Sequence, residues 1–262
     1  MVEENLAQHF RVDEMPIIEE INGWIAQATD QYRPILTGFL NPRQRYIAET
    51  LINQNDELSV RSFGGYEAAE LQRMLLFPAY YQPQDNDFQL QVLQIKYPQK
   101  FAELHHRQVL GTLLSQGIER ATFGDIITDG AQWQVIVQAN LADFFITQID
   151  KIASVRVSLV PEELDAVLIP ISDWESINTT VSSLRLDVVI AGAFNYSRNR
   201  VKTLIEGQKI RVNWADVTKP DYPVALHDMI SVRHGGRIRL SSIEGTTKKD
   251  KIRVTFSIVT AK

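Results

Sequence analysis

Basic side chains in the last third of the chain have spacings that suit phosphate binding. Arg198, Arg200 and Lys202 open a predicted helix over residues 198–206, whose apolar positions leave them to solvent. A helix N-terminus and a Lys or Arg side chain each favour phosphate. The next predicted strand, residues 209–214, continues the basic pattern. The candidate nucleic-acid contacts are Arg185, Ser197, Arg198, Arg200, Lys202, Lys209, Arg211, Asn213, Lys219, Arg233, Arg237 and Arg239.

The charge of the chain is divided unevenly along its length. The 262 residues carry a formal net charge of −5. Residues 183–262 hold 15 Lys and Arg against 7 Asp and Glu, whereas residues 1–182 hold 12 against 25. A basic segment on an acidic body is the electrostatic pattern of many nucleic-acid-binding proteins. Phosphate contacts would position such a segment, and the shape of a folded RNA would dominate its recognition.

Local signals predict the elements that hold these basic residues. A helix is predicted over residues 183–193, followed by a turn in which Ser197 caps the second helix. Gly207 ends that second helix. A further strand is predicted over residues 229–232, and residues 235–260 have a basic β-type pattern that is rich in turns.

The order of motifs in this segment resembles the S-four RNA-binding domain. The matching residues are Arg185-Leu186-Asp187, Ser197-Arg198, Gly207, Val212-Asn213, Lys219-Pro220 and Asp228 to Val232. The resemblance spans about residues 183–233 and implies that this module binds RNA. His227 stands where the family usually has glycine. A positive φ there costs a non-glycine residue energy, so this turn could differ from that of the family. Asp187 is expected to hold Arg185 or to cap backbone donors.

The first part of the chain predicts a mixed, mostly helical domain over residues 1–87. Apolar spacing predicts a helix over residues 15–28, and Asn41-Pro42 opens another. A short strand is predicted over 58–63 and a third helix over 66–76. Gly64-Gly65, between them, could cradle an anion, although a turn or packing role is favoured.

The middle of the chain, residues 88–165, predicts the element order βαββαβ. That order is a split-βαβ, RRM-like arrangement with a four-stranded antiparallel sheet. The strand predicted over residues 131–138 offers only Trp133 for stacking on a base, and we expect this side chain in the core. Residues 166–182 are interpreted as a connector to the basic module that could in part form a strand. The predicted fold class is therefore α+β in three modules, and the third, residues 183–262, is the S-four-type domain with a basic β extension.

The whole chain resembles the YlmH family. The residues that carry this resemblance are Gly64-Gly65-Tyr66, Ala69-Glu70, Gly124 to Ile127, Thr180 to Asp187, and Gly245 to Lys249 with Arg253-Val254. Leu71 departs from the family, which often has a basic residue there. The resemblance implies a ribosome-associated quality-control factor that binds large ribosomal subunits still carrying peptidyl-tRNA. It implies large-subunit ribosomal RNA and tRNA as ligands, and an association with cell division.

An enzyme is the second class of function that the sequence raises. Pseudouridine synthases carry a catalytic aspartate in an R-L-D motif, which Arg185-Leu186-Asp187 could be mistaken for. Val188 follows here in place of the expected Thr-Ser-Gly, and too little chain remains for a catalytic domain. The chain has no cysteine and no phosphate-binding glycine loop, and His105-His106 point to different helix faces. We therefore expect no catalytic residue, no metal and no cofactor.

A protein-interaction role is the third class. The acidic residues 1–87 could dock a ribosomal or cell-division protein while the basic module holds RNA. No apolar run approaches the roughly 18 to 20 residues that a membrane span needs, so we expect no membrane partner. The expected location is the cytoplasm.

Overall fold

The computed structural model describes residues 10–170 and 174–260, which lie in two compact units. The first unit is Met1–Ile171 and the second is Ser172–Lys262. Both units combine helices with antiparallel sheets, which confirms the α+β class. In the described ranges, no helix has the length and apolar character needed to cross a membrane.

The N-terminal part of the first unit is a three-stranded sheet with two helices on one face. Its elements are α1 (Met15–Gln31), β1 (Ile35–Leu40), α2 (Pro42–Ile52), β2 (Leu58–Phe63) and β3 (Gln72–Pro78). The strand order is β1-β3-β2. Asn41 caps α2, accepting a hydrogen bond from the Gln44 amide at 2.9 Å, as its position before Pro42 predicts. Ile21, Ile47 and Met74 lie in the core between the helices and the sheet.

The helix predicted over residues 66–76 is wrong, because residues 72–78 form the central strand β3. Met74 and Leu76 face the helices, whereas Leu71 and Leu75 belong to a second apolar cluster. A strand buried on both faces reads as a continuous apolar run, which periodicity cannot separate from a buried helix. Gly64 shows the close packing at this turn, because a Cβ there would lie 2.4 Å from the Leu71 carbonyl oxygen.

The middle part of the first unit has the predicted split-βαβ topology. Its elements are β4 (Leu90–Lys96), α3 (His106–Leu114), β5 (Phe123–Thr128), β6 (Trp133–Gln138), α4 (Ala142–Gln148), β7 (Lys151–Ile152), β8 (Val155–Arg156) and β9 (Ser158–Glu162). The sheet order is β5-β6-β4-β9, with antiparallel neighbours. Trp133 is buried in the core beneath α3 and α4, which confirms its predicted place.

The second unit is a six-stranded antiparallel sheet with two helices on one face. Its elements are β10 (Glu175–Val181), α5 (Leu186–Phe194), α6 (Arg198–Glu206), β11 (Ile210–Val212), β12 (Ala215–Asp216), β13 (Met229–Val232), β14 (Gly236–Thr246) and β15 (Ile252–Thr260). The strand order is β10-β15-β14-β13-β11-β12. His227 has a φ of 66°, so this turn has a left-handed backbone although the residue is not glycine.

The segment predicted as a connector contributes β10 to this sheet. All seven residues of β10 pair with β15, from Glu175 opposite Ile258 to Val181 opposite Ile252. Ile177 and Val181 face the core, and Ser176, Asn178 and Thr180 alternate with them on the exposed side. Such a strand has few apolar residues, and its partner lies far along the chain, so the local sequence reads as a polar connector.

Candidate nucleic-acid interface

Helix α6 presents its first turn to solvent. Val201 and Ile205 are buried against the sheet, which leaves Arg198, Arg200 and Lys202 exposed. Ser197 is the N-cap, and its hydroxyl accepts a hydrogen bond from the Arg200 amide at 3.3 Å. The capping role predicted for this serine is therefore confirmed.

The three cations of α6 differ in their own contacts. One Arg198 guanidinium nitrogen donates to the Ser182 hydroxyl at 3.1 Å. The Arg200 guanidinium carbon lies 3.6 Å from the centre of the Tyr196 ring. Lys202 Nζ lies 3.6 Å from a Glu206 carboxylate oxygen, and both side chains are exposed. The two arginines have uncharged partners, so their charges are the more available to phosphate.

Arg185 lies at the start of α5 and is held by an acid. Its Nε lies 3.0 Å from a carboxylate oxygen of Asp187, as the sequence predicted. Asp187 is buried, and its amide donates to the Pro220 carbonyl at 3.0 Å. The exposed Lys219 precedes that proline, so it lies on the loop beside the N-terminus of α5.

The remaining basic candidates lie on strands, with side chains on the opposite side of the sheet from α5 and α6. Alternation sets this arrangement, because Ile210, Ile238 and their neighbours two residues away face the helices. Arg211 lies opposite Ser231, which in turn lies opposite Arg237. The side away from the helices is called the outer face below. Its predicted candidates are Lys209, Arg211, Arg233, Arg237 and Arg239.

Asn213 stands apart from both groups, because its side chain holds a turn. Its amide nitrogen donates to Asp228 at 2.8 Å, and its amide oxygen accepts from the Met229 backbone at 2.9 Å. Asp228 is fully buried and also accepts from the Ala225 amide. The amide of Asn213 therefore fixes the β11–β12 turn against β13, and a direct contact with RNA stays a prediction.

Trp174 is a feature of the outer face that the sequence analysis missed. Its ring centre lies 5.7 Å from the Arg237 guanidinium carbon and 5.4 Å from that of Arg239. These distances are in the range of cation–π interactions. Trp174 precedes β10, in a segment whose acidic composition gave no sign of a basic partner. The signal that could have found it is the alternation of exposed and less exposed positions over residues 175–181, which is typical of a strand beginning just after Trp174.

The second face of the middle-domain sheet is covered, although its topology is that of an RNA-recognition domain. Ile136 is fully buried with Phe39, Leu71 and Leu75 of the N-terminal part. A Cβ on Gly65 would lie 2.8 Å from the Ile136 Cδ1 atom, so the backbone packs directly on β6. The glycine pair therefore serves packing rather than anion binding.

Residues that follow the sheet cover another part of that face. The Gln134 side chain donates to Gln94 at 3.1 Å and to the Ala166 carbonyl at 2.9 Å. It accepts a hydrogen bond from the Leu168 amide at 2.8 Å. Gln94 and Gln134 are both buried, so two polar positions on the central strands are used within the protein.

Three of the motifs that carried the whole-chain resemblance meet at Asp125: Gly64-Gly65-Tyr66, Ala69-Glu70 and Gly124 to Ile127. Its carboxylate accepts hydrogen bonds from the Tyr66 hydroxyl at 2.7 Å, the Glu70 amide at 2.7 Å and the Leu71 amide at 3.1 Å. Burial raises the pKa of Asp125 above its usual range, against the opposing effect of the Tyr66 hydrogen bond. Burial and the neighbouring Asp125 raise the pKa of Tyr66, so its hydroxyl remains a donor. These motifs join the N-terminal and middle parts of the first unit.

Comparisons with known proteins cover nearly the whole chain. Three family models match in succession: "YlmH, N-terminal" at residues 14–81, "Putative RNA-binding domain in YlmH" at residues 83–166, and "S4 domain" at residues 184–230. The last is the S-four domain of the sequence analysis. Across residues 10–170 and 174–260, no group of three or more His, Asp or Glu is placed to hold a metal ion.

Individual proteins are also similar to this chain, among them one from Bacillus subtilis and one from Streptococcus pneumoniae. The "Ribosome-associated protein quality control protein P2" of Bacillus subtilis (strain 168) is 42% identical over 252 residues, which is 96% of this chain and 98% of that protein. The solved structure of "Cell division protein ylmH from Streptococcus pneumoniae" is 34% identical and has a TM-score of 0.53. That match covers 60% of this chain and 95% of the solved one.

Proposed function

We propose, because the chain belongs to the YlmH family, that it is a non-catalytic RNA-binding protein that acts on the ribosome. Its proposed ligand is the large ribosomal subunit that carries peptidyl-tRNA after a stall, and its proposed location is the cytoplasm. The name of the Bacillus subtilis relative supports the ribosomal and quality-control parts of this proposal. Ribosomal RNA is the proposed main contact, and tRNA a further one.

The observation that carries the proposal is the first turn of α6, within the residues matched by the S4 domain. Arg198 and Arg200 are exposed there, beside a serine cap and backbone donors of the helix start. In the described part of the chain, neither arginine lies in an ion pair with an acid. Such a site suits a phosphate of folded RNA.

The test is co-sedimentation with purified large ribosomal subunits at a series of KCl concentrations. The variant is Arg198→Gln with Arg200→Gln, and its matched control is Arg33→Gln with Lys151→Gln, two exposed cations of the first unit. We expect the α6 variant to bind at least tenfold more weakly and to lower the slope of log affinity against log salt by about 2. The control variant should bind as the wild type does.

Unchanged affinity and slope in the α6 variant would contradict the proposed contact. Sequencing of RNA crosslinked to the wild-type protein identifies which RNA is contacted. Crosslinks to other RNA, with free protein at the top of a sucrose gradient, would remove the ribosome from the proposal.

An alternative is an adaptor that reaches cell division through a protein partner, and one surface favours it. Tyr32 and Tyr80 in the N-terminal part are 60% and 56% exposed, and their ring centres are 5.2 Å apart. Deleting residues 1–87 would expose the covered sheet face around Ile136, so point variants are the better test. Loss of a crosslinked protein partner in Tyr32→Ser with Tyr80→Ser, at unchanged subunit binding, would support the adaptor.

The pseudouridine-synthase alternative gains no support from the site. Asp187 is buried at the start of α5, and Arg185 occupies its carboxylate. A catalytic aspartate would need to reach a substrate base.

A further inference from the structure

We propose that the outer face of the C-terminal sheet binds a second, single-stranded segment of RNA, so that this module holds RNA on both sides. The inference rests on the proposed function, since it takes RNA as the ligand of the module. The core of the module separates the two sites, because α5 and α6 pack on the inner face of the sheet. One short stretch of RNA on the first turn of α6 therefore does not account for the arginines of the outer face.

The charge on the outer face favours a polyanion. Arg237 and Arg239 are half-buried there, and the exposed Arg253 lies on the same side of β15 as Ser257. At one end of the face, the Arg233 amide donates to the Lys209 carbonyl at 2.9 Å, which brings these two exposed residues side by side. Arg211 adds a further cation to this side of the sheet.

Two acids of this face, among the residues that the structure describes, have partners within the protein. Asp216 lies 2.8 Å from Arg211 Nε. Glu244 accepts hydrogen bonds from the Ser242 hydroxyl at 2.9 Å and the Thr255 hydroxyl at 3.1 Å, towards the far end of the β14–β15 hairpin. Both acids lie away from the strand positions of Arg237 and Arg239, whose guanidinium groups are complementary to a phosphate backbone.

The aromatic and hydroxyl groups favour a single strand over a duplex. Trp174 packs with Arg237 and Arg239, and a ring with guanidinium planes beside it is the kind of platform on which an unpaired base stacks. Arg239 lies opposite Ser257, which lies opposite Ser176, and these hydroxyls can bond to phosphate or ribose. Bases in an RNA duplex are stacked already and cannot use such a platform.

The test uses a fluorescent 12-nucleotide oligouridylate and the full-length chain, with binding followed by anisotropy between 50 and 300 mM KCl. We expect Arg237→Gln with Arg239→Gln to weaken binding about tenfold and to lower the salt slope by about 1.4, the value for two phosphates of a single strand. Arg33→Gln with Lys151→Gln, which removes the same charge from exposed positions of the first unit, should change oligouridylate binding less than threefold.

Trp174 is tested separately, because its loss could disturb the sheet. Trp174→Phe keeps an aromatic ring and should bind oligouridylate within threefold of wild type, whereas Trp174→Leu should lose about tenfold. Thermal unfolding of both variants shows whether they fold equally well. Equal affinity of two equally folded variants would overturn the stacking role.

Co-sedimentation with large subunits, measured on the same variants, separates this inference from the proposed function. Suppose that Arg237→Gln with Arg239→Gln binds oligouridylate as wild type does, while Arg198→Gln with Arg200→Gln no longer binds large subunits. The outer face is then not an RNA site, and the proposed function stands. Suppose that Arg198→Gln with Arg200→Gln still binds large subunits, while Arg237→Gln with Arg239→Gln loses oligouridylate binding. This result would support an RNA site on the outer face and contradict the proposed RNA contact on α6. Binding of polyglutamate in preference to oligouridylate would assign the face to an acidic protein and overturn the inference.

Discussion

Two antiparallel sheets of this chain have helices on one face and differ in what lies on the other. The middle-domain sheet places Ile136 and Gln134 on its second face, where apolar strands and residues 164–168 cover it. The C-terminal sheet places Arg237, Arg239 and a series of hydroxyl groups on its second face. Side-chain alternation produces both arrangements, because successive residues of a strand point to opposite sides.

The topology of a sheet does not by itself indicate whether that sheet contacts RNA. The middle domain has the strand order of an RNA-recognition domain and matches a family model described as a putative RNA-binding domain. Its sheet, however, serves as an internal interface. RNA contact by this part of the chain would have to use its loops, helices or edges.

The largest expected effect is a loss of stability when a charge is placed on the covered face of the middle-domain sheet. Ile136→Asp places a carboxylate among apolar side chains at a fully buried position. We expect the free energy of unfolding to fall by about 4 kcal/mol, because the charge has no partner there and the apolar contacts of Ile136 are lost. Urea denaturation followed by circular dichroism measures this change.

The matched control places the same charge on the other sheet. Thr180→Asp lies on the exposed side of β10, opposite Arg253. We expect its free energy of unfolding to stay within about 1 kcal/mol of wild type. Equal losses in the two variants would mean that the two faces do not differ in the way described.

A smaller loss of stability is expected on substitution of Asp125, whose carboxylate binds the N-terminal part of the first unit to the middle-domain sheet. Asp125→Asn leaves one acceptor oxygen for three donors, and we expect a loss of about 2 kcal/mol of unfolding free energy at neutral pH. Tyr66→Phe removes one of these donors and should cost about 1 kcal/mol. The double variant should lose less than the sum, because both changes act on one network.

The pH dependence of this site has a defined sign. Burial raises the pKa of Asp125 in the folded protein, so the folded state holds this proton more tightly than the unfolded state. The contribution of the group to stability is therefore fully present below the unfolded pKa and falls as pH rises through the folded pKa. The advantage of wild type over Asp125→Asn should shrink across that window. An advantage that grows with pH would show that the hydrogen bonds outweigh burial.

Local signals predicted much of the C-terminal module. Helix α6 spans the predicted residues 198–206, because a serine cap and a glycine stop mark its two ends. Strand β13 also has its predicted bounds. These signals depend on neighbours in sequence, so they need no knowledge of the fold.

Features set by distant partners could not be predicted in the same way. Strand β3 was misread as a helix because sheet neighbours and packing on both sides, rather than alternation, define it. Strand β10 was read as a connector because its partner β15 lies far along the chain. The twelve candidate contacts were predicted as one set with no face assigned to each, and the fold places them on both sides of a core. Only the packing of α5 and α6 decides which side of the sheet is open.

The smallest expected effect is that of Arg253→Gln, a substitution that tests how far bound RNA extends along the outer face. Arg253 is exposed near the far end of β15, so Arg253→Gln should change the free energy of unfolding by less than about 0.5 kcal/mol. If the single strand reaches this end, the salt slope for the 12-nucleotide oligouridylate falls by about 0.7, one phosphate contact. Lys251→Gln, in the turn before β15, is the matched control and should leave the slope unchanged. An unchanged slope in both variants would confine the RNA to the rows around Trp174, whereas equal losses in both would indicate a diffuse charge effect without a defined path.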